Sequence, residues 1–252
     1  MFFEDIAKIL SRYGTTLLSA VQNTVVLALV GTGCGFLLGL LVGGLRAVKL
    51  DYTASTASKG LKKFFDVLAN IYIGIFRGTP MMVQAVFFYY ALLNVFHWSS
   101  MECAMVVISI NTGAYMAEII RSGIQAVDPG QTEAARSLGM SNSQTMMSVV
   151  LPQAIKNAFP AIGNELIVNI KDSSVLMIIS ISELMFQAKS IAGSTFLFSE
   201  TYFIAAMIYL VLTTIATLLL NVIEKRMNRT TVSLPQSDTD PSNMTLARRK
   251  GK

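Results

Sequence analysis

Glu165, Asn169 and Asp172 stand at i, i+4 and i+7 in an otherwise apolar run over residues 153–181, a spacing that puts all three on one helical face. Ionisable groups are costly in lipid and normally turn toward a cavity or a partner. This stripe can therefore line a path for a polar solute. The structural alternative pairs Glu165 or Asp172 with Lys171 or Arg77. Asn111, Tyr115 and Glu118 repeat the spacing, but there Glu118 can pair with Arg121 at i+3. Gln84, one turn inside Pro80, is a further candidate for solute contact. Thr213, Thr214 and Thr217 read more simply as helix–helix hydrogen bonders.

A different chemistry is written into residues 128–152. Asp128-Pro129-Gly130-Gln131 has the pattern of a capping box with proline at the first helical position, and the helix through Glu133, Ala134, Ala135 and Arg136 stops at Gly139. A second box, Ser141 to Gln144, starts a helix that reaches Leu151 before Pro152 opens the next run. Helix, turn, helix invites a DNA-binding reading. Residues 137–155 contain no Lys or Arg, however, and phosphate contacts supply most of such affinity, so nucleic acid is excluded as a partner. A loop this long, with two capped helices and the small residues Ala134, Ala135 and Gly139, reads as a docking surface for another protein rather than as a mere connector between spans.

The elements that must position these residues are membrane spans. Of the 252 residues, 53% are apolar and only 14% charged, more apolar content than one soluble core requires. Stretches of about 20 apolar residues, enough to cross ~30 Å of hydrocarbon as helices, lie at about 22–45, 80–97, 101–121, 153–181 and 202–223. The expectation is an all-α polytopic membrane protein with five transmembrane helices. A continuous helix over 153–181 would measure about 43 Å, so a break around Lys171 to Ser174 is expected. Another is expected near Gly78, with Thr79 as N-cap and Pro80 as first helical residue.

Cationic residues set the orientation, because cytoplasmic loops retain Lys and Arg. With the N-terminus outside, Arg46, Lys49, Lys59, Lys62, Lys63, Arg121, Arg136, Lys156 and the seven cations from Lys225 onward all fall inside, fifteen of the twenty in the chain. The outer segments hold Lys8, Arg12 and Lys189 beside Glu4, Asp5, Glu102, Glu183 and Glu200. Residues 1–21 are read as an external or interfacial segment, and residues 59–76 as beginning with an interfacial amphipathic helix. Residues 228–252 are read as a cytoplasmic tail too poor in apolar residues to fold. Gly31, Gly35, Gly39 and Gly43 let another helix backbone approach closely, within the chain or in a second subunit. Tyr89, Tyr90, His97 and Trp98 read as an aromatic belt. Cys34, Cys103 and the single histidine form no ligand cluster, so neither a disulfide nor a metal is expected.

The order EAA, Gly139 four residues later, then Leu151-Pro152, resembles the signature of permease subunits of bacterial ABC importers. FRGTPMMVQ, NTGAYMAEIIRSGIQAVDPGQTEAARSLGM, LPQAIKNAFPAIGNELI and KDSS resemble, in colinear order over roughly residues 23–226, the polar amino acid uptake subfamily of histidine, glutamine and arginine type. The resemblance implies the type I importer permease fold over residues 22–227, with a coupling loop at about 128–152. It implies a multi-pass protein of the bacterial cytoplasmic (inner) membrane, paired with a second permease (a copy or a paralogue), an ABC ATPase dimer and an extracytoplasmic amino acid binding protein. Glu133, Ala134, Ala135 and Gly139 match the motif that couples to the ATPase. Glu165 matches an acidic position associated with the amino acid pocket. No GxxxxGK[ST] phosphate loop occurs, so ATP and Mg are assigned to the partner ATPase, with no cofactor and no enzymatic activity in this chain. The alternative is a self-sufficient secondary transporter or channel for a small polar solute, although an internal repeat and further spans would then be expected.

Overall fold

The computed structural model describes residues 1–47 and 55–229, and every element among them is helical. They are α1 (Phe2–Ala47), α2 (Thr56–Gly78), α3 (Met81–Phe96), α4 (Ser100–Gln125), α5 (Pro129–Ser137), α6 (Asn142–Thr145), a π turn (Met146–Val150), α7 (Leu151–Asp172), a 3₁₀ segment (Ser173–Ile179), α8 (Leu184–Thr195) and α9 (Phe198–Arg229). Nearly all of the expected tail lies outside the described residues. Among the described residues three helices, α1, α4 and α9, are long and apolar enough to cross a membrane, and there are up to five crossings if each of two bent helix pairs is one span.

The organising contact is between α1 and α4. The glycine ladder answers Ile108, Thr112, Met116 and Ala117 in rising order, so the two helices run parallel. A Cβ added to Gly35 would come within 2.8 Å of the Thr112 side chain, and one on Gly43 within 2.5 Å of the Ala117 carbonyl oxygen. The four-residue spacing is therefore used within the chain, where missing side chains let two backbones meet. Gly39→Leu is expected to force α1 off α4 and abolish recovery of monodisperse protein. Size-exclusion chromatography after detergent extraction checks this, with Gly33→Leu, whose Cβ would meet nothing within 4 Å, retaining the wild-type profile.

Residues 1–21 are continuous with the apolar stretch that follows, as the first half of α1. Ile9 and Leu17 explain the extension, because they bury against Leu184, Ile191 and Ile204 of α8 and α9. The expected 80–97 span is half of a larger element. With 16 residues, α3 is about 24 Å long, and the α2–α3 pair bends by 108°. Pro80, rather than Thr79, is the N-cap of α3. The proline ring drives Thr79 into extended backbone, φ −124° and ψ 146°, and the Thr79 hydroxyl turns back to donate to Ile75 O at 2.8 Å.

The break expected near Lys171 occurs where α7 gives way to 3₁₀ geometry at Ser173. That segment ends at Ser180 in left-handed backbone, φ 62°, and α8 departs at 56°. Glu183, expected among the outer acids, is fully buried at this joint. It caps α8, accepting from Met185 N at 2.8 Å and Phe186 N at 2.6 Å, and it accepts from Tyr209 Oη at 3.0 Å. A buried carboxylate is tolerated when its lone pairs are filled in this way.

Between α4 and α7 lies the hairpin. Asp128 Oδ1 accepts from Gly130 N at 2.8 Å, and the Ser141–Gln144 box forms in full. The helix started by that box does not stop before Pro152. Leu151 N donates to Met146 O in a π turn, and this wide turn carries the backbone past the proline, which lacks an N–H, into α7.

Candidate functional site

A cavity of about 480 Å³ opens where the end of α2 meets α4 and α7. Arg77, Tyr115, Glu118, Ser122, Asn157 and Glu165 supply its polar surface. Arg77 comes from the last turn of α2, directly before the 108° bend. Its guanidinium lies 5.3 Å from the centre of the Tyr115 ring, a cation–π distance that holds the charge over α4. Asn157 and Glu165 are two turns apart on α7. The cavity thus presents a cation and a carboxylate to one small volume. Glu118 shares the wall but is already engaged, with Arg121 Nη2 at 2.7 Å and with Arg46 Nη1.

The stripe over 165–172 divides. Glu165 lines the cavity. Asn169 is buried, 4% exposed, donating to Thr32 Oγ1 at 2.9 Å and accepting from Thr112 Oγ1 at 3.0 Å, so that it ties α7 to α1 and α4. Asp172 is exposed at the end of α7. Gln84 is buried and occupied: its Nε2 donates to Phe76 O at 3.0 Å and Thr79 O at 2.9 Å, and its Oε1 accepts from Asn111 Nδ2 at 3.0 Å. Gln84 and Asn111 thereby satisfy carbonyls that the end of α2 leaves open. Arg77 was identifiable from sequence only as a partner for an acid, and Asn157, two turns before Glu165, gave no signal apart from its spacing.

Asn169→Leu is accordingly expected to act on stability rather than on solute choice. It leaves the Thr112 hydroxyl, itself 2% exposed, without its acceptor, at a cost of about 1–3 kcal/mol. A fall of several degrees in the thermal midpoint with an unchanged order of solute preference checks this.

In the hairpin, Glu133 and Ala134 are exposed while Ala135 is buried. Gly139 adopts φ 82° with nothing within 4 Å of an added Cβ, so its requirement is conformational. Leu138 is 84% and Met147 64% exposed, two large apolar side chains beside the motif that residue spacing alone did not single out. Among the described residues no three His, Cys, Asp or Glu side chains gather as they would around a metal ion.

Residues 35–229 match the family described as "Binding-protein-dependent transport system inner membrane component". The probable glutamine ABC transporter permease protein GlnM of Bacillus subtilis is 34% identical over 230 residues, covering 91% of this chain and 97% of that protein. The glutamine transport system permease protein GlnP of Escherichia coli is 32% identical over 218 residues, 84% and 92% of the two chains. A crystal structure of an amino acid ABC transporter with histidines superposes with a TM-score of 0.74 at 38% identity, covering 86% of this chain and 96% of that one. The MetNI methionine ABC transporter shares the fold, with a TM-score of 0.73 at 20% identity.

Proposed function

Since the chain belongs to the family of binding-protein-dependent transport system inner membrane components, we propose that it is the membrane-spanning subunit of an ABC importer for a polar amino acid. The observation that carries this is the pairing of Arg77 and Glu165 in one cavity between α2, α4 and α7. A free amino acid is a zwitterion. Its carboxylate fits the fixed, always charged guanidinium, and its ammonium fits the carboxylate of Glu165.

In this reading five spans, two of them bent pairs, cross the bacterial cytoplasmic membrane over residues 22–227, with the N-terminus outside and the 228–252 tail in the cytoplasm. The hairpin at 128–152 docks on an ATPase dimer through Glu133, Ala134 and the Gly139 turn, with Ala135 packed beneath. ATP and Mg belong to that partner. A second permease, identical or paralogous, completes the path, and an extracytoplasmic binding protein delivers the amino acid. Closure of the ATPase dimer draws the hairpins together and biases the permease pair between inward- and outward-facing states.

Reconstitution in proteoliposomes tests the reading. ATP-dependent uptake that requires the ATPase and the binding protein is expected. Uptake by the permease alone, driven by an ion gradient, would replace it with a secondary transporter.

A further inference from the structure

A second cavity, about 590 Å³, lies where the C-terminal ends of α1 and α4 meet the hairpin. Arg46 and Arg121 line it, and both guanidinium groups share the single carboxylate of Glu118. Among the described residues their other partners, Asn70 and Gln125, are neutral, so two cations meet one carboxylate on this wall. From α5, Glu133 contributes a carboxylate to the same cavity. Thr145 lines it as well, 2% exposed, with a hydroxyl that has no hydrogen-bond partner among the described residues. A buried hydroxyl left unpaired is costly and calls for an explanation. Ile124 and Val150 add apolar surface. The volume is that of a small-molecule site, typically about 300–1,000 Å³.

We infer that this cavity binds a free polar amino acid on the hairpin side of the membrane. Its carboxylate lies against Arg46 and Arg121, its ammonium against Glu133, and its polar side chain against Thr145, whose hydroxyl turns from its buried position to meet it. A purely anionic ligand would face Glu133 unfavourably, and a purely cationic one would face the two arginines; a zwitterion satisfies both. Occupancy ties the ends of α1 and α4 to the hairpin and competes with the ATPase for the Glu133 carboxylate. The inference rests on the transport reading, because that reading makes the amino acid the product released on this side.

Equilibrium binding of radiolabelled glutamine and arginine to the purified permease–ATPase complex tests the site. The Glu165→Gln complex is expected to keep the hairpin site at its wild-type affinity while the Arg77–Glu165 site weakens about tenfold to a hundredfold. Thr145→Val should weaken the hairpin site about fivefold to tenfold, the loss of one hydrogen bond, while basal ATP hydrolysis stays at the wild-type rate. Arg46→Gln should weaken it independently. In proteoliposomes, amino acid added on the ATPase side should slow ATP hydrolysis, with a correspondingly higher concentration needed for Thr145→Val. Loss of all binding in Glu165→Gln, or a remaining site indifferent to both Thr145→Val and Arg46→Gln, overturns the inference. So does a cavity that takes up short-chain phosphatidylglycerol and no amino acid. Intact uptake with no second site refutes this site alone; a second site without ATP-driven uptake refutes the transport reading alone.

Discussion

Glu165→Gln is expected to lower the affinity for transported amino acid about tenfold to a hundredfold, the loss of a charge-assisted hydrogen bond worth about 1.5–3 kcal/mol. The glutamine keeps the shape of the side chain, so any change in packing on α7 is small. What disappears is the negative charge that faces Arg77 across the cavity. A zwitterion then meets the guanidinium but no counter-charge for its ammonium. Substrate-stimulated ATP hydrolysis reads the effect directly, and its half-maximal concentration should rise while the unstimulated rate stays unchanged. Arg77→Gln should impair the same response from the carboxylate end, and it should weaken amino acids more than their decarboxylated amines. An unchanged stimulation curve in Glu165→Gln would move the solute path away from this cavity.

The second large effect is expected in the hairpin. Gly139→Trp combines two faults at one position, a side chain forced into left-handed backbone at φ 82°, which costs about 1–2 kcal/mol, and a large ring on the docking surface. Glu133→Lys reverses a charge on the exposed face of α5. Each substitution should abolish co-purification of the ATPase, or transport where the complex survives, without changing membrane insertion. Gly139→Ala separates the two faults: it carries the backbone strain without the bulk, and a partial loss of coupling is its expected result. Leu138→Ser removes the most exposed of the apolar side chains beside the motif and should weaken ATPase association without unfolding the hairpin. Normal uptake in both Gly139→Trp and Glu133→Lys would refute docking at this surface.

How much of this was legible in the sequence depended on how local the signal was. The Ser141–Gln144 box and the Gly139 turn are set by residues three or four apart, and they appear where the pattern put them. The glycine ladder was equally plain, because a four-residue repeat of missing side chains has few uses other than close helix packing; which helix it met needed the fold. Beyond that range the pattern says less. Asn169 and Gln84 look the same as Glu165 in a hydropathy scan, yet Asn169 has its amide filled by Thr32 and Thr112, both distant in sequence, and Gln84 by the nearby Phe76 and Thr79 together with the distant Asn111. Glu183 reads as a surface acid until α9 brings the Tyr209 hydroxyl to it. Arg77 takes its place through the bend that Thr79 and Pro80 announced, but the neighbours it meets there on α4 and α7 needed the fold. Helix continuity misled in the other direction: residues 1–21 and the passage through Pro152 both carry apparent boundaries that tertiary packing and a π turn override.

Glu118 has one more consequence. Its carboxylate forms part of the wall of the Arg77–Glu165 cavity while it grips both arginines of the hairpin cavity. A cation drawn into the first cavity competes with Arg46 and Arg121 for the same oxygens. With both cavities occupied as proposed, the two spaces form a thermodynamic cycle closed through one shared counterion. Whatever the first occupant does to the free energy of binding the second, the second must do to the first, with equal size and sign.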